Sequence, residues 1–235
     1  MSNAIEIPNE FKESIFPKFG EQEWYEISYS CHFSVNIVDR KLQIKEIERN
    51  NTCELKIDKG TLKGTNNGEW GGRLTFVPDD ISKKEILIAG GNIIFIFLFK
   101  DKIYYIESFS HMTFSFGAMY ELNKKGDKFI EKKVVDFIDA PHAFTIHNDK
   151  LLIATSKNFY IVKGYRKYLI LKNTFWSGLY INSVTTINDE NVFIGMSGGI
   201  AKLDLTTKSF KFYKNSKIDP NHLIFKVKEA LSKLK

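Results

Sequence analysis

The sequence has little of what an exported protein needs. It contains only two cysteines, Cys31 and Cys53, in 235 residues. They lie in predicted neighbouring strands and could pair in an exported chain. However, no charged segment followed by an apolar core stands near Met1, so no secretory signal is predicted. We therefore expect reduced, buried cysteines in a cytoplasmic protein.

Long apolar runs are also missing. The longest, Ile93 to Phe99, has seven residues. It is too short to cross a bilayer and suits a buried strand. We expect no membrane partner.

Motifs that carry chemistry are missing too. The five histidines form no metal-binding spacing, and no C-x-x-C, G-x-S-x-G, P-loop or dinucleotide fingerprint is present. Adjacent Cys31 and His32 would face opposite sides of a strand.

Gly68 to Gly72 precedes a strand, so it lacks the helix N-terminus of a phosphate site. Asp79-Asp80 and Asp189-Glu190 lie in predicted turns, which favour Asp. The sequence predicts no catalytic residue, metal or cofactor.

Dense positive charge is lacking as well. The chain has 34 basic and 28 acidic residues, a net charge of +6, without a basic run. A solvated lysine-rich surface explains this better than a nucleic-acid site, which would rest only on charge and aromatics. Arginine, at positions 40, 49, 73 and 166, is too dispersed for an anion-binding cluster. The excess favours an acidic protein partner over nucleic acid.

Aromatic residues, by contrast, are plentiful. They make up 14% of the chain, with 20 Phe and 10 Tyr, which favours strands over helices. From Trp24 onward, apolar residues recur at every second position. Tyr25, Ile27 and Tyr29 fit one such strand, and further strands follow as far as residue 48.

The stretch from Asn191 to Tyr213 reads as three short strands joined by tight turns, and it repeats. Residues 144–154, FTIHNDKLLIA, match residues 185–195, TTINDENVFIG, at a spacing of about 41 residues. The turn Gly198-Gly199 is echoed at Gly71-Gly72 and Gly117-Ala118. This period is typical of four-stranded propeller blades.

We therefore predict an all-β fold, a small β-propeller of about four to five four-stranded blades, one of them partial or irregular, with a C-terminal α-helix. The predicted units are 53–90, 92–136, 142–172 and 182–213, with a partial unit at 25–48. Stacking the blades around an axis would bury both faces of each sheet. A two-sheet sandwich is the rival fold, and the period weighs against it.

The predicted domains are an N-terminal leader (1–24), the propeller (25–215) and a C-terminal helix (216–235). Within the leader, Glu10 to Phe16 fits either a single helical turn or a loosely ordered segment. Asp219-Pro220 is an N-cap and helix start, and one apolar face follows it. That helix would pack on the propeller, or alternatively dock a partner.

Two resemblances support this fold. The stretch with Phe193-Ile194-Gly195, Gly198-Gly199 and Leu203-Asp204 resembles the blade motif of two-component-regulator-type β-propellers, closely in one blade and loosely in three. Gly68 to Leu74 resembles a segment of small bacterial propeller-like proteins, some of which are immunity proteins of contact-delivered toxins. These resemblances imply a propeller and, for the second, a toxin-neutralising role.

Loop residues are the candidate binding residues. In a propeller, loops on one face converge, and Trp, Tyr and His supply large amphipathic contacts. The predicted partner-binding residues are Trp70, His111, His142, Trp176, Tyr180 and Asn182. Each aromatic could instead wedge between blades. Trp176 to Tyr180 is the best single candidate for an exposed recognition loop, and His111 lies in a predicted longer loop.

The sequence therefore favours a non-enzymatic, monomeric, protein-binding propeller. Its most concrete version is a bacterial cytoplasmic immunity protein that blocks a toxin domain sterically. The alternative is a carbohydrate-binding or hydrolytic propeller with its site at the axial opening. That alternative needs converging carboxylates or arginines, which the sequence does not offer as a cluster.

Overall fold

The computed structural model describes residues 5–126 and 128–218. Almost all regular structure in these residues is antiparallel β-sheet, and the α-helical structure is one seven-residue helix. The predicted all-β class is confirmed. In the same residues, no helix combines the length and the apolar character needed to cross a bilayer.

Four sheets each contain four strands that follow one another in the chain, every strand pairing with the next, and one of these sheets has a fifth strand. We call them blades 1 to 4, since a four-stranded antiparallel meander is the unit that propellers repeat. Blade 1 contains β4 (Thr52–Ile57), β5 (Gly60–Thr65), β6 (Arg73–Pro78) and β7 (Ile86–Gly90). Blade 2 contains β8 (Ile93–Phe99), β9 (Lys102–His111), β10 (Phe114–Lys125) and β11 (Lys128–Phe137). Blade 3 contains β12 (Pro141–His147), β13 (Lys150–Thr155), β14 (Phe159–Lys163) and β15 (Arg166–Leu171). Blade 4 contains β16 (Ser183–Asn188), β17 (Asn191–Met196), β18 (Gly199–Asp204) and β19 (Ser209–Asn215).

The first and last residues of these blades agree with the predicted units to within one or two positions. The agreement is close because each unit is a series of hairpins, and the residues of each turn indicate where the hairpin bends. Lys100 and Asp101 both have positive φ, as a type I′ turn requires, and Asn148 also has positive φ; both positions lie in predicted turns. The predicted C-terminal helix starts at Asp219, outside the described residues.

The described residues divide into two compact units. Unit 1 takes residues 5–48, 142–163 and 168–218, and unit 2 takes residues 49–126, 128–141 and 164–167. Each unit has buried apolar residues of its own.

Unit 2 is centred on blades 1 and 2, where β4 and β5 pack on β8. Alternating side chains of these strands form its core, as period two requires. The buried members are Leu62, Leu74, Phe76, Ile93, Ile96, Tyr105 and Leu122.

Unit 1 contains a larger core between blades 3 and 4 and the residues that precede blade 1. Its members include Trp24, Ile27, Leu152, Phe159, Trp176, Leu179, Ile194 and Phe212. A two-stranded sheet, β2 (His32–Val38) with β3 (Lys41–Ile47), packs against β16 and β17. This pair corresponds to the partial unit predicted at 25–48, but it begins only at His32 because a helix takes the place of the first predicted strand.

The predicted strand around Tyr25, Ile27 and Tyr29 is wrong. Residues Gln22–Ser28 form helix α1 instead. The buried side chains are Trp24, Ile27 and Ser28, whose spacing of three and four residues places them on one helical face. Tyr25 and Tyr29 point outward, so the alternation of large apolar residues was misleading.

The predicted helical turn or loose leader at Glu10 to Phe16 is also wrong. Residues Phe11–Ser14 form strand β1, which pairs with β19 and gives blade 4 a fifth strand. Phe11 packs edge-on against Phe33, with ring centroids 5.2 Å apart. The open edge of β19 supplies backbone partners that make an extended conformation favourable here.

Candidate partner-binding surface

Strands β9 and β10 extend beyond the rest of blade 2. Pairing of β9 with β8 ends at Glu107, and pairing of β10 with β11 ends at Gly117. Past these points the two strands pair only with each other, through Phe109↔Phe116, Ser110↔Ser115 and His111↔Phe114. We call residues 109–116 the ribbon.

One face of the ribbon is made of rings. Directly paired residues and residues two apart share a face in antiparallel strands, which places Phe109, His111, Phe114 and Phe116 together. The rings of Phe109 and Phe116 stack at 5.2 Å. Phe114 is 68% exposed and Met112, at the tip, is 91% exposed. The ribbon therefore presents uncovered apolar side chains.

The turn that carries Trp70 lies beside the ribbon. Residues Gly68–Trp70 form one 3-10 turn between β5 and β6, and this turn packs against β9. Glu69 Oε2 lies 3.3 Å from His111 Nε2. The Trp70 side chain itself is 83% exposed. We call the Trp70 turn and the ribbon together the docking surface.

Buried Asn92 holds the first half of this turn. Its Oδ1 accepts a hydrogen bond from the Asn67 backbone N–H at 3.1 Å, and its Nδ2 donates to the Gly68 carbonyl at 2.7 Å. Gly71, at φ +75°, follows Trp70 and lets the chain enter β6. The backbone thus fixes where Trp70 leaves the blade.

Two of the six predicted residues, Trp70 and His111, therefore lie together in unit 2. His111 ends a strand and does not lie in a loop as predicted. Sequence reasoning missed Met112, Phe114 and Phe116. Their signal was the alternation of rings and small polar residues in residues 109–116, FSHMTFSF, which is typical of a hairpin.

The other four predicted residues belong to unit 1. His142 lies in β12, half-buried, with Nε2 2.8 Å from the Ser156 hydroxyl. Asn182 is half-buried, and its backbone N–H donates to the Gly195 carbonyl at 3.0 Å. Tyr180 is 42% exposed, with φ +49°, and its ring stands edge-on to His32. These positions are structural or partly exposed, and they add no ring face like that of the ribbon.

The prediction that Trp176 is an exposed contact residue is wrong. Its side chain is 1% exposed, and its indole N–H donates to the Thr155 carbonyl at 3.1 Å. Helix α1 covers the loop, since Trp24 Nε1 donates to the Ser177 carbonyl and Ser28 Oγ to the Gly178 carbonyl. The alternative reading, an aromatic that packs inside, holds for Trp176.

At the other end of β9 and β10, polar groups satisfy one another. Buried Glu121 accepts hydrogen bonds from the Tyr165 hydroxyl, from Lys102 Nζ at 2.9 Å and from Asn123 Nδ2 at 3.2 Å. The Tyr165 bond, followed by the Lys102 bond, lowers the pKa of Glu121 to about 2. Burial raises the pKa of nearby Tyr104 above its usual range. This carboxylate stays charged and fully bonded, which suits a structural role better than proton transfer.

Other reactive groups are dispersed. Both cysteines are thiols and half-buried, and burial raises the pKa of Cys53 to about 11. In the described part of the chain, no three His, Cys, Asp or Glu side chains come together as a metal site would need. The docking surface is therefore the most distinctive exposed feature of unit 2.

No family model and no curated protein matches this chain. Among solved structures, it is similar to the computationally designed protein Ika4, with a TM-score of 0.38 and 7% identity over 72% of this chain and 94% of that chain. It is also similar to the computationally designed Ika8, with a TM-score of 0.35 and 9% identity over 84% of this chain and 76% of that chain. Likenesses this distant carry no argument about what the chain does.

Proposed function

We propose that this chain is a non-enzymatic binding protein that captures a protein partner through the docking surface. The observation that carries the proposal is the joint exposure of Trp70, Met112 and Phe114, at 83%, 91% and 68%. Large uncovered apolar side chains grouped on one surface mark interaction sites. Trp, Phe and Met are also enriched at the centres of protein interfaces.

A ring face on a paired ribbon suits this role for an energetic reason. The cross-strand pairing and the stacked Phe109 and Phe116 rings order the ribbon before a partner arrives. Less conformational entropy is then lost on binding, so more of the apolar contact appears as affinity. A partner with an apolar protrusion or groove would fit this face.

The more specific form of the proposal is an immunity protein of a bacterial cytoplasm that neutralises a toxin domain by covering it. Its support is the resemblance of Gly68 to Leu74 to a segment of bacterial propeller-like immunity proteins. That segment contains the Trp70 turn, so the resembling residues and the exposed residues coincide. Inhibition would be steric, because the exposed side chains that carry the proposal, Trp70, Met112 and Phe114, are large and apolar.

Capture of the partner by matched variants tests the proposal. The purified chain and a Trp70→Ser/Phe114→Ser variant would be used as baits in host lysate, followed by mass spectrometry and measurement of affinity for the captured protein. Ile81→Ser/Leu87→Ser is the control, since these side chains are 100% and 66% exposed in the same unit. We expect one stoichiometric protein, bound about 30-fold or more weakly by the docking-surface variant alone.

Either of two results contradicts the proposal: no stoichiometric partner, or a partner that both double variants bind as well as the wild type does. Co-expression with the captured protein tests the immunity form separately. Growth inhibition relieved by the wild type and not by Trp70→Ser/Phe114→Ser supports it. A partner that is harmless to the cell contradicts the immunity form and leaves partner binding intact.

A further inference from the structure

We infer that the docking surface recognises a basic segment of its protein partner, by seating an arginine side chain on the uncovered rings beside Glu69. This inference rests on the proposed function, because it names the chemistry of the partner that the same surface would bind. The chain as a whole has a net charge of +6, which favours an acidic partner. The local charge of the docking surface is different.

The docking surface lies in two stretches of sequence that lack basic residues. Residues 64–72 and 103–123 contain no lysine or arginine, although the chain has 34 of them. Both stretches do contain glutamate. Because interfaces pair potentials of opposite sign, a surface with carboxylates and no lysine or arginine of its own stretches suits a cationic partner.

The ring face of the ribbon has a carboxylate near each end. Glu107 precedes Phe109 by two residues in β9 and therefore shares its face, and its Oε2 accepts the Tyr120 hydroxyl at 3.2 Å. Near the tip, Glu69 Oε2 lies 3.3 Å from His111 Nε2, and the Glu69 side chain is 48% exposed. Glu69 is thus the carboxylate that an incoming cation can reach.

Elsewhere in unit 2, the chain covers several rings with its own lysines. Lys124 Nζ lies 4.4 Å from the centre of the Phe76 ring, and Lys167 Nζ lies 5.7 Å from that of Phe137. A cation in such a place is attracted to the negative face of the ring. Among the described residues, no lysine or arginine lies over a ring of the docking surface. A cation of the partner would supply the contact that the chain's own lysines supply elsewhere.

Arginine suits this combination of rings and carboxylate better than lysine does. Its guanidinium is planar, stacks on ring faces and donates two parallel hydrogen bonds to one carboxylate. The ring faces are open, since Trp70 is 83% and Phe114 is 68% exposed. Phe114 is paired across the ribbon with His111, the residue that Glu69 reaches. One guanidinium can therefore meet a ring and a carboxylate together.

Fluorine NMR of the free chain containing 5-fluorotryptophan tests the inference with a peptide probe. The chain has three tryptophans, and Trp24 and Trp176 are 8% and 1% exposed, so they serve as internal references. Trp70→Phe assigns the remaining resonance. The probe is acetyl-Arg-Leu-Arg-amide, and the same peptide with neutral citrulline in place of arginine is the matched control. At low salt we expect the arginine peptide to shift the Trp70 resonance saturably and to bind about five-fold more tightly than the citrulline peptide.

Two variants of the chain locate the effect. Glu69→Gln should weaken binding of the arginine peptide about two- to five-fold and leave binding of the citrulline peptide unchanged. Glu85→Gln should bind both peptides as the wild type does, because Glu85 is an exposed carboxylate of the same unit outside the docking surface. The absence of a saturable shift, equal binding of the two peptides, or equal losses in the two variants overturns the inference.

The peptide titration and the capture of a partner can fail independently. The titration uses the chain alone, so a failed capture would overturn the proposed function while a charge-dependent titration still supports a cation site. If a protein is captured, Glu69→Lys should weaken its binding about ten-fold or more, and Glu85→Lys should not. A captured protein that binds Glu69→Lys as tightly as the wild type overturns the inference and leaves partner binding intact.

Discussion

Trp70 and Trp176 occupy comparable positions in the sequence, in connections that contain glycine and lie beside clear strands, yet their environments are opposite. The Trp70 side chain is 83% exposed and that of Trp176 is 1% exposed. The difference comes from a distant element. Helix α1 lies over the Trp176 loop, and its Trp24 bonds to Ser177 across more than 150 residues of sequence. The sequence of a loop therefore shows that it contains an aromatic residue, but packing by distant parts of the chain decides whether that residue is exposed.

Tyr165 gives an intermediate case. It lies in the β14–β15 turn at φ +40°, is 43% exposed, and donates its hydroxyl to buried Glu121. Its ring is neither enclosed nor uncovered, and its hydroxyl also accepts a hydrogen bond from Lys102 Nζ at 3.1 Å. The three aromatics thus form a series: enclosed, fixed by a polar bond, and uncovered. We expect the stability effects of substitutions to follow that order.

Trp176→Ala should have the largest effect. It removes a fully buried indole and its hydrogen bond to the Thr155 carbonyl, and it leaves a cavity beside Phe175 and Phe210. We expect the free energy of unfolding to fall by about 4 kcal/mol. Urea denaturation followed by circular dichroism measures it. A loss below about 1 kcal/mol would show that the Trp176 loop is not a core element.

The glycines of the two loops give a matched pair. Gly178 and Gly71 both have positive φ, +73° and +75°. A Cβ at Gly178 would overlap the Trp24 ring, whereas a Cβ at Gly71 meets nothing within 4 Å. Gly178→Ala should cost about 3 kcal/mol, from backbone strain and overlap. Gly71→Ala should cost about 2 kcal/mol, from strain alone, because a φ of +75° with a ψ of −161° is essentially restricted to glycine.

The same denaturation experiment compares the two alanine variants directly. Equal losses would contradict the assignment of different packing to the two loops. A loss of stability in Gly71→Ala alone would mean that the Trp70 turn, and not the Trp176 loop, is the tightly packed one.

Acid should destabilise the fold by protonating Glu121, the carboxylate that accepts the hydrogen bond from Tyr165. The pKa of Glu121 is lowered from 4.5 to about 2 in the folded chain. A carboxyl group whose pKa is lower in the folded chain stabilises the fold at pH values above its pKa in the unfolded chain. This contribution is therefore complete above about pH 4.5 and is lost as the pH falls towards about 2. We expect a loss of about 2 kcal/mol across that window, since Lys102 is half-exposed and its share is screened.

Glu121→Gln supplies the control for this pH dependence. The variant should be less stable than the wild type at neutral pH, and its free energy of unfolding should vary less between about pH 4.5 and pH 2. Parallel curves for the two proteins would mean that the Tyr165 and Lys102 bonds do not govern the titration of Glu121.

Trp70→Ala should have the smallest effect on stability. An indole that is mostly in solvent contributes little to the core, so we expect a change within about 0.5 kcal/mol of the wild type. A loss of several kcal/mol would break the comparison, because Trp70 would then be a packing residue and its exposure would carry no argument for binding.

The repeat could be read from the sequence because its information is local. Each blade is a chain of hairpins, and turns such as Lys100-Asp101 and Asn148-Asp149 mark their boundaries directly. The period of about 41 residues then gave the number of units. The ribbon was missed although its signal was also local, since the turn at Met112-Thr113 lacks the Asn-Gly or Asp-Gly signature that makes hairpins easy to recognise.

Features that depend on distant partners could not be predicted. Helix α1 and strand β1 both lie in a region where single-sequence periodicity is ambiguous. Their conformation depends on distant contacts: Ser28 of α1 donates to the Gly178 carbonyl, and β1 pairs with the edge strand β19. The Glu69–His111 pair belongs to the same class, because residues 42 positions apart meet only after two blades have stacked.

Strand β1 also constrains how unit 1 is assembled. Phe11 pairs with Asn215, so this register joins residues about 200 positions apart and carries the entropy of closing a very long loop. During synthesis, β1 has no strand to pair with until β19 has been made. Residues 11–14 therefore stay unpaired until the last strand of blade 4 has been synthesised. Completion of blade 4 should be a late, slow step, as is usual for non-local strand pairing.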